Sequence, residues 1–92
     1  MSHIKVDLAT QLKAAAQCDG LEIECNTPMS VSNLLQAVID RHGELQSMLL
    51  DDSGVRHGWL MVSVDDAMVA RGSDPDVQPG STVLLCTPIS GG

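Results

Sequence analysis

The chain is nearly devoid of aromatic side chains and poor in basic ones. Its 92 residues include one Trp and no Phe or Tyr, and five Lys and Arg stand against twelve Asp and Glu, for a formal net charge of −7. Nucleic-acid binding needs clustered cations against phosphate, and single-strand binders also need aromatic stacking platforms. Anionic membrane surfaces are disfavoured by the same charge. The composition therefore argues against nucleic-acid and membrane partners and favours a protein partner with a basic surface.

Several other features are scarce. No apolar run approaches the ~20 residues that span a bilayer, and the first residues lack the apolar segment of a secretory signal. The three cysteines (Cys18, Cys25 and Cys86) are an odd number without a CxxC spacing, which indicates reduced thiols in a cytoplasmic protein. The histidines have no metal-ligand spacing with the cysteines, so we expect no metal site. A chain of this length forms one domain.

Alternation of apolar and polar residues predicts most of the strands. Residues 4–9 and 21–25 alternate, which predicts an antiparallel pair joined by residues 11–20, either a helical turn or a wide loop. A third strand is expected over residues 59–64, with a tight turn at Asp65-Asp66 leading into residues 67–69. Residues 82–86 are apolar on both faces, which suits a central strand. Residues 71–80 are rich in Gly, Pro, Asp and Ser and are expected to form an irregular connection.

One amphipathic helix lies between the two strand groups. Ser30 is a credible N-cap, Gly43 is placed to end the helix, and a further short helical stretch is expected around residues 45–49. The apolar side chains recur at helical spacing, and His42 continues the same stripe after them: Val31, Leu34, Leu35, Val38 and Ile39. The resulting order β-β-α-β-β-β predicts an α+β roll in which the sheet covers the helix with one face.

Successive side chains of a strand point to opposite faces of the sheet, and this alternation predicts an apolar patch on the face turned away from the helix. Ile4, Val6, Leu60, Val62, Val64, Val83 and Leu85 are assigned to the helix side. The opposite face then carries Ala9, Trp59, Met61, Leu84 and Cys86. Apolar residues clustered beside a functional segment are typical of a docking site. Cys86 is expected to pack at the surface and Cys25 to pack as a small hydrophobe, whereas Cys18 is expected to be incidental.

The final residues carry the most specific signal. Gly91-Gly92 follows Pro88 and a predicted central strand, and a terminal Gly-Gly arises by chance in only about one chain in 200. We therefore divide the chain into a domain over residues 1–87 and a flexible tail over residues 88–92. From Thr87 to Gly92 the extended chain can reach roughly 20 Å. Glycine lets backbone enter a narrow tunnel. There an enzyme supplying ATP and Mg could convert the terminal carboxylate to an acyl-adenylate, ready to accept sulfur, a thiol or an amine.

At this point the chain resembles a known family. The β-β-α-β-β-β order and the ending Val83-Leu84-Leu85-Cys86-Thr87-Pro88-Ile89-Ser90-Gly91-Gly92 resemble the β-grasp sulfur carriers of the MoaD/ThiS family. The strand Ile4-Lys5-Val6 followed by Gln11-Leu12-Lys13, and the turn Gln78-Pro79-Gly80, are also similar to that family. The resemblance implies a ubiquitin-like β-grasp roll, with a mixed sheet of four to five strands packed on one main helix. Residues 52–66 look more like the longer relatives, among them carriers for cysteine synthesis and archaeal ubiquitin-like modifiers.

The resemblance also implies a function and partners. Gly92 would be adenylated by an E1-like adenylyltransferase and converted to a thiocarboxylate. Pro88, Ile89, Ser90 and Gly91 would enter the partner's active site. A sulfur-accepting synthase, first of all the large subunit of molybdopterin synthase, would take the sulfur, so the chain is expected to be a carrier and not an enzyme, with no cofactor of its own. MoaD-like proteins commonly have aromatic residues at positions resembling Ala9 and Cys86, and Trp59 would supply that bulk.

Other functions remain open from the sequence. The sulfur could serve cysteine, thiamin thiazole or a thiolated metabolite instead of molybdopterin. The same terminal chemistry suits a ubiquitin-like modifier that forms isopeptide bonds with lysines. A plain interaction module with an accidental Gly-Gly is the remaining alternative.

Overall fold

The computed structural model describes residues 2–70 and 72–87. Strands and helices follow one another in this order: β1 (His3–Leu8), α1 (Gln11–Ala16), β2 (Gly20–Glu24), β3 (Met29–Ser30), α2 (Val31–Arg41), a 3-10 helix (Gly43–Leu45), α3 (Gln46–Leu49), β4 (Met61–Val64), β5 (Ala67–Met68), β6 (Asp76–Val77) and β7 (Thr82–Cys86). None of the helices in the described part of the chain has the length and apolarity needed to cross a membrane.

Five of the strands form one mixed sheet in the order β2-β1-β7-β4-β5. Strands β1 and β7 are parallel, and the other three pairings are antiparallel. The apolar strand β7 occupies the centre, as its sequence predicts. Together with α2, these five strands follow one another in the predicted order β-β-α-β-β-β. The fold is the α+β, ubiquitin-like β-grasp that the family resemblance implies.

The core lies between the sheet and α2. Ser30 caps this helix, because its Oγ accepts a hydrogen bond from the Asn33 N–H at 3.1 Å. All five residues of the predicted apolar stripe are buried, and on the sheet Ile4, Val6, Leu60, Val62, Val83 and Leu85 are buried against them. Val64 is partly buried and packs against the same cluster. The predicted parity of the sheet is therefore confirmed.

The connection over residues 71–80 is largely irregular, as expected, but it contains a two-residue strand that belongs to a small second sheet. Strand β6 pairs antiparallel with β3, with Met29 opposite Val77. The preceding segment is tied to the start of α2, because the Ser32 N–H donates to Asp74 Oδ1 at 2.8 Å and the Val31 N–H to the Pro75 carbonyl at 3.1 Å. The sequence did not indicate this strand, because its partners lie more than 40 residues away in the chain, beyond the reach of local patterns.

Two further differences from the predictions concern the end of α2 and the start of β4. Helix α2 ends at Arg41, and Gly43 opens the 3-10 helix instead of ending α2. Strand β4 begins at Met61, so Trp59 lies in the turn before it. In the first connection the helical alternative is confirmed, as helix α1, in which Leu12 and Ala16 lie four residues apart and are both buried.

The predicted tight turn between β4 and β5 is present. Asp65 and Asp66 both have positive φ, 50° and 72°, a conformation that suits two-residue hairpins and that Asp tolerates better than most residues. The Asp65 N–H donates to the Thr82 carbonyl at 2.8 Å, and the Thr82 N–H donates to Asp65 Oδ1 at 2.9 Å. The turn is thereby fastened to the beginning of β7.

Candidate functional site at the outer face and the base of the tail

The outer face of the sheet carries exposed apolar side chains near its centre. In the β4–β7 pair Met61 lies opposite Cys86, and Ser63 lies opposite Leu84. Met61 and Leu84 are 40% and 39% exposed, and Cys86 is partly buried. Side chains opposite each other in antiparallel strands are close enough to touch. The structure therefore brings together the three strand residues of the predicted patch.

Ala9 borders this group on β7, and Trp59 lies two residues before Met61 in the chain. The Ala9 N–H donates to the Leu85 carbonyl at 3.1 Å, which places partly buried Ala9 beside β7. Trp59 is 43% exposed and lies in a turn that is closed by a hydrogen bond from the Leu60 N–H to the His57 carbonyl at 3.2 Å. The predicted exposure of Trp59 is confirmed, but a turn and not a strand carries this residue, so the alternation of the strand does not extend to it.

His57 holds the indole of Trp59 in place. The two rings are stacked, with centroids 4.3 Å apart and planes inclined by 17°. On its other side His57 Nε2 lies 3.0 Å from the Ser47 carbonyl oxygen. A carbonyl oxygen only accepts hydrogen bonds, so Nε2 must carry a proton to donate here. The only aromatic residue of the chain is thus partly immobilised at the surface, which lowers the entropy cost of using it as a binding anchor.

Met68 belongs to the same surface, although the sequence analysis did not include it. It lies opposite Ser63 in the β4–β5 pair and is 65% exposed. The two-residue turn at Asp65-Asp66 could have indicated the outward position of Met68. A turn of that length fixes the register between β4 and β5, and with it the face on which each residue of β5 lies. We call the surface formed by Ala9, Trp59, Met61, Met68, Leu84 and Cys86 the outer apolar patch.

Carboxylates border the outer apolar patch on one side. Asp7 is the partner of Leu84 across the β1–β7 pair, and Asp7, Asp65 and Asp66 line a shallow depression of about 380 Å³ that reaches Leu84. The hydrogen bond from the Thr82 backbone N–H, followed by one from the Ser81 side chain, holds the pKa of Asp65 below its ordinary value of 3.8. Asp65 is therefore ionised at neutral pH, and the apolar patch has an anionic rim.

The chain leaves the sheet at Thr87, directly after β7. Thr87 is 3% exposed and is held by the side chain of Thr10: its N–H donates to Thr10 Oγ1 at 3.0 Å, and its carbonyl oxygen lies 3.1 Å from the same Oγ1. The predicted tail residues Pro88, Ile89, Ser90, Gly91 and Gly92 lie outside the described residues, and with them the division of the chain at residue 87.

The three cysteines are free thiols, and two of them, Cys18 and Cys25, pack against the hydrophobic core. Cys25 packs against the core as a small hydrophobe, as predicted. Cys18 Sγ lies 3.7 Å from His42 Nε2, and His42 Nδ1 lies 3.6 Å from Glu44 Oε2, a contact that the 24-residue separation of Cys18 and His42 concealed. Within residues 2–70 and 72–87 no group of three or more His, Cys, Asp or Glu residues could hold a metal ion.

The mixed sheet, the single long helix and the last strand running parallel to the first define a ubiquitin-like β-grasp domain, with an apolar outer face next to the point where its C-terminal segment departs. The model of the ThiS family matches residues 6–92, and the chain belongs to this family. The match and the fold together support a ubiquitin-like sulfur carrier. A comparison with curated protein sequences finds no matching relative.

Solved structures with the same fold cover almost the whole chain. SAMP1 from Haloferax volcanii superposes with a TM-score of 0.87 at 22% identity, over 98% of this chain and 99% of that chain. Urm1 from Trypanosoma brucei gives 0.75 at 24% identity, over 99% and 96%. A chain of the BexX/CysO complex from Amycolatopsis orientalis gives 0.74 at 22% identity, over 97% and 99%. At these identities the likeness establishes the fold.

Proposed function

We propose that this protein is a sulfur carrier whose reacting group is the carboxylate of Gly92. An E1-like adenylyltransferase would bind the domain and provide Mg-ATP. A Gly92 carboxylate oxygen would attack the α-phosphorus of ATP, which releases pyrophosphate and leaves an acyl-adenylate. A sulfide equivalent, HS⁻, would then displace AMP together with that oxygen and leave a thiocarboxylate. The chain would supply no catalytic group to either step and would bind no cofactor of its own.

The observation that carries the proposal is the family match, which extends through the terminal Gly-Gly. The geometry of the described residues supports it, because Thr87, the last of them, is anchored beside Cys86 at one end of the outer apolar patch. A partner that covers this patch would therefore sit within the roughly 17 Å reach of the five following residues. The same partner could then bind the outer apolar patch and receive Gly92 in its active site.

The direct test is ATP–pyrophosphate exchange with the E1-like enzyme of the source organism. Deletion of Gly92 should abolish exchange, because the reacting carbon would no longer occupy the enzyme's active centre. Ser90→Ala, which shortens a side chain in the same tail and keeps the terminal carboxylate in register, is the matched control and should retain exchange. Exchange by the Gly92 deletion at the wild-type rate would refute the proposal.

For the fate of the sulfur we propose molybdopterin synthesis first, because the ending from Val83 to Gly92 resembles that of the MoaD proteins. The small side chains at Ala9 and Cys86 favour a large subunit whose docking surface complements Trp59 and Met61 instead. The experiment measures transfer of sulfur from the thiocarboxylated carrier to the precursor of molybdopterin, in the presence of the molybdopterin synthase large subunit of the same organism. Transfer only to another acceptor, such as one for cysteine or thiazole synthesis, would reassign the pathway and leave the carrier role intact.

A ubiquitin-like modifier is the second candidate. Its specific support is the fold likeness to SAMP1, described in the H. volcanii structures as small archaeal modifier protein 1. Intact-mass analysis of protein from the native host separates the two functions. Replacement of one terminal oxygen by sulfur identifies the carrier, whereas isopeptide adducts between Gly92 and lysines of other proteins identify the modifier.

A further inference from the structure

Thr10 has a backbone conformation that is unfavourable for its residue type. Its φ is 56° and its ψ is −133°, a region that glycine adopts readily and that a β-branched residue rarely enters. Thr10 also precedes α1 at the N-cap position, where a threonine hydroxyl ordinarily accepts from an amide of the first helical turn. Here the side chain makes no such hydrogen bond. The backbone strain at Thr10 is therefore not offset by an N-cap hydrogen bond to helix α1.

The hydroxyl of Thr10 instead faces the end of the central strand. Oγ1 accepts from the Thr87 N–H at 3.0 Å and lies 2.9 Å from Thr87 Oγ1. Its own proton can go to the Ala9 carbonyl at 2.6 Å or to the Thr87 carbonyl at 3.1 Å. The ladder of backbone hydrogen bonds between β1 and β7 ends where the Ala9 N–H donates to the Leu85 carbonyl. The Thr10 side chain thus extends the pairing by one residue, as far as the base of the tail.

We infer that Thr10 is a positioning residue, which clamps the backbone of Thr87 and so fixes the point from which the tail enters the activating enzyme. This inference rests on the proposed carrier function. If the clamp is lost, Thr87 has to be ordered when the partner binds, and fixing the backbone of one residue reduces affinity by a factor on the order of ten. The chemistry at Gly92 is unchanged once the tail is bound. The clamp should therefore act on KM and leave kcat nearly untouched.

The experiment measures ATP–pyrophosphate exchange as a function of carrier concentration. Thr10→Val removes the hydroxyl and keeps the β-branched shape, and it should raise KM on the order of tenfold with kcat within about twofold. Thr10→Ser restores the hydroxyl and should return KM to the wild-type value. Thr87→Val is the matched control, because it removes the other hydroxyl of the pair while both contacts between Thr10 Oγ1 and the Thr87 backbone remain.

Thr10→Gly guards against misfolding, because glycine relieves the strain at positive φ while it also removes the hydroxyl. Its melting temperature should be no lower than that of Thr10→Val, and its Thr87 amide hydrogen should exchange with solvent faster than in wild type. Its KM in the ATP–pyrophosphate assay should rise as much as that of Thr10→Val. An unchanged KM in folded Thr10→Gly and Thr10→Val would overturn the clamp and leave the carrier function standing. Absence of exchange by wild type itself would overturn the carrier function, and the clamp with it.

Discussion

Met61 and Cys86 face each other across the antiparallel β4–β7 pair, one residue before the chain leaves the sheet at Thr87. Two positions earlier in β7, Leu84 occupies the same outward face. The outer apolar patch therefore adjoins the base of the tail directly. An exposed apolar surface in this position, rimmed by carboxylates, has the anatomy of an interface core with a polar border.

Trp59→Ala should weaken binding of the activating enzyme by roughly 2 kcal/mol or more, since buried Trp anchors carry a large share of interface energy. Isothermal titration calorimetry measures the affinity, and a thermal melt checks the fold. Val55→Ala is the matched control, because Val55 is a comparably exposed apolar residue outside the patch. Wild-type affinity in folded Trp59→Ala would place the docking surface elsewhere.

Leu35→Ala should lower the free energy of unfolding by roughly 2–5 kcal/mol. Leu35 is fully buried in the middle of α2 against the sheet, and truncation leaves a cavity there. Urea denaturation provides the measurement. The neighbouring exposed residue gives the control: Gln36→Ala should change stability by no more than about 0.5 kcal/mol, and an equal loss in both variants would contradict the packing described.

Asp65→Asn should change the pH dependence of stability. The pKa of Asp65 is lowered in the folded state, so the ionised carboxylate contributes stability above the ordinary value of 3.8, and this contribution disappears as the pH falls through the folded-state pKa. Wild type should thus be more stable than Asp65→Asn at neutral pH and approach it in acid. Denaturation at a series of pH values tests this, with Asp66→Asn as control for the loss of one charge in the same turn. A constant difference at all pH values would be inconsistent with the Thr82 hydrogen bond as its cause.

Gly20→Ala should destabilise the protein by about 1–3 kcal/mol. Gly20 pairs with Asp7 at the start of β2, and a Cβ atom there would collide with the Val6 carbonyl oxygen. At Gly43 an added Cβ meets nothing within 4 Å, so Gly43→Ala is the matched substitution and should be tolerated. Equal melting temperatures for the two variants would show that β1 and β2 are less closely apposed than described.

The sequence predicts those parts of the fold that depend on local periodicity. Alternation places Ile4 and Val6 on the buried face, and helical spacing places Leu35 and Val38 in the core, because burial of a face imposes its period on the chain. The same parity argument finds Met61 and Leu84 on the outer face. Solvation of one face of an antiparallel pair leaves a readable pattern even where the outer residues are themselves apolar.

What the sequence conceals depends on contacts between distant residues. Asp74 reads as part of a polar loop, yet it caps α2 from 42 residues away. Thr10 precedes α1 at the N-cap position, yet its hydroxyl binds the backbone of Thr87. In both cases a short polar side chain has several permitted partners within its own segment, and only the tertiary arrangement selects the distant one.

The parallel pairing of β1 with β7 has a consequence for synthesis on the ribosome. Strand β7 follows the other strands of the sheet in the chain, yet it lies at the sheet's centre between β1 and β4. Until Thr82–Cys86 has emerged, the β1–β2 and β4–β5 hairpins have no strand to join them, and their inner edges remain unpaired. Contacts of such wide sequence separation form late and slow the folding rate. The nascent chain therefore completes its fold only after β7 has emerged, and until then its unpaired strand edges are open to non-native pairing.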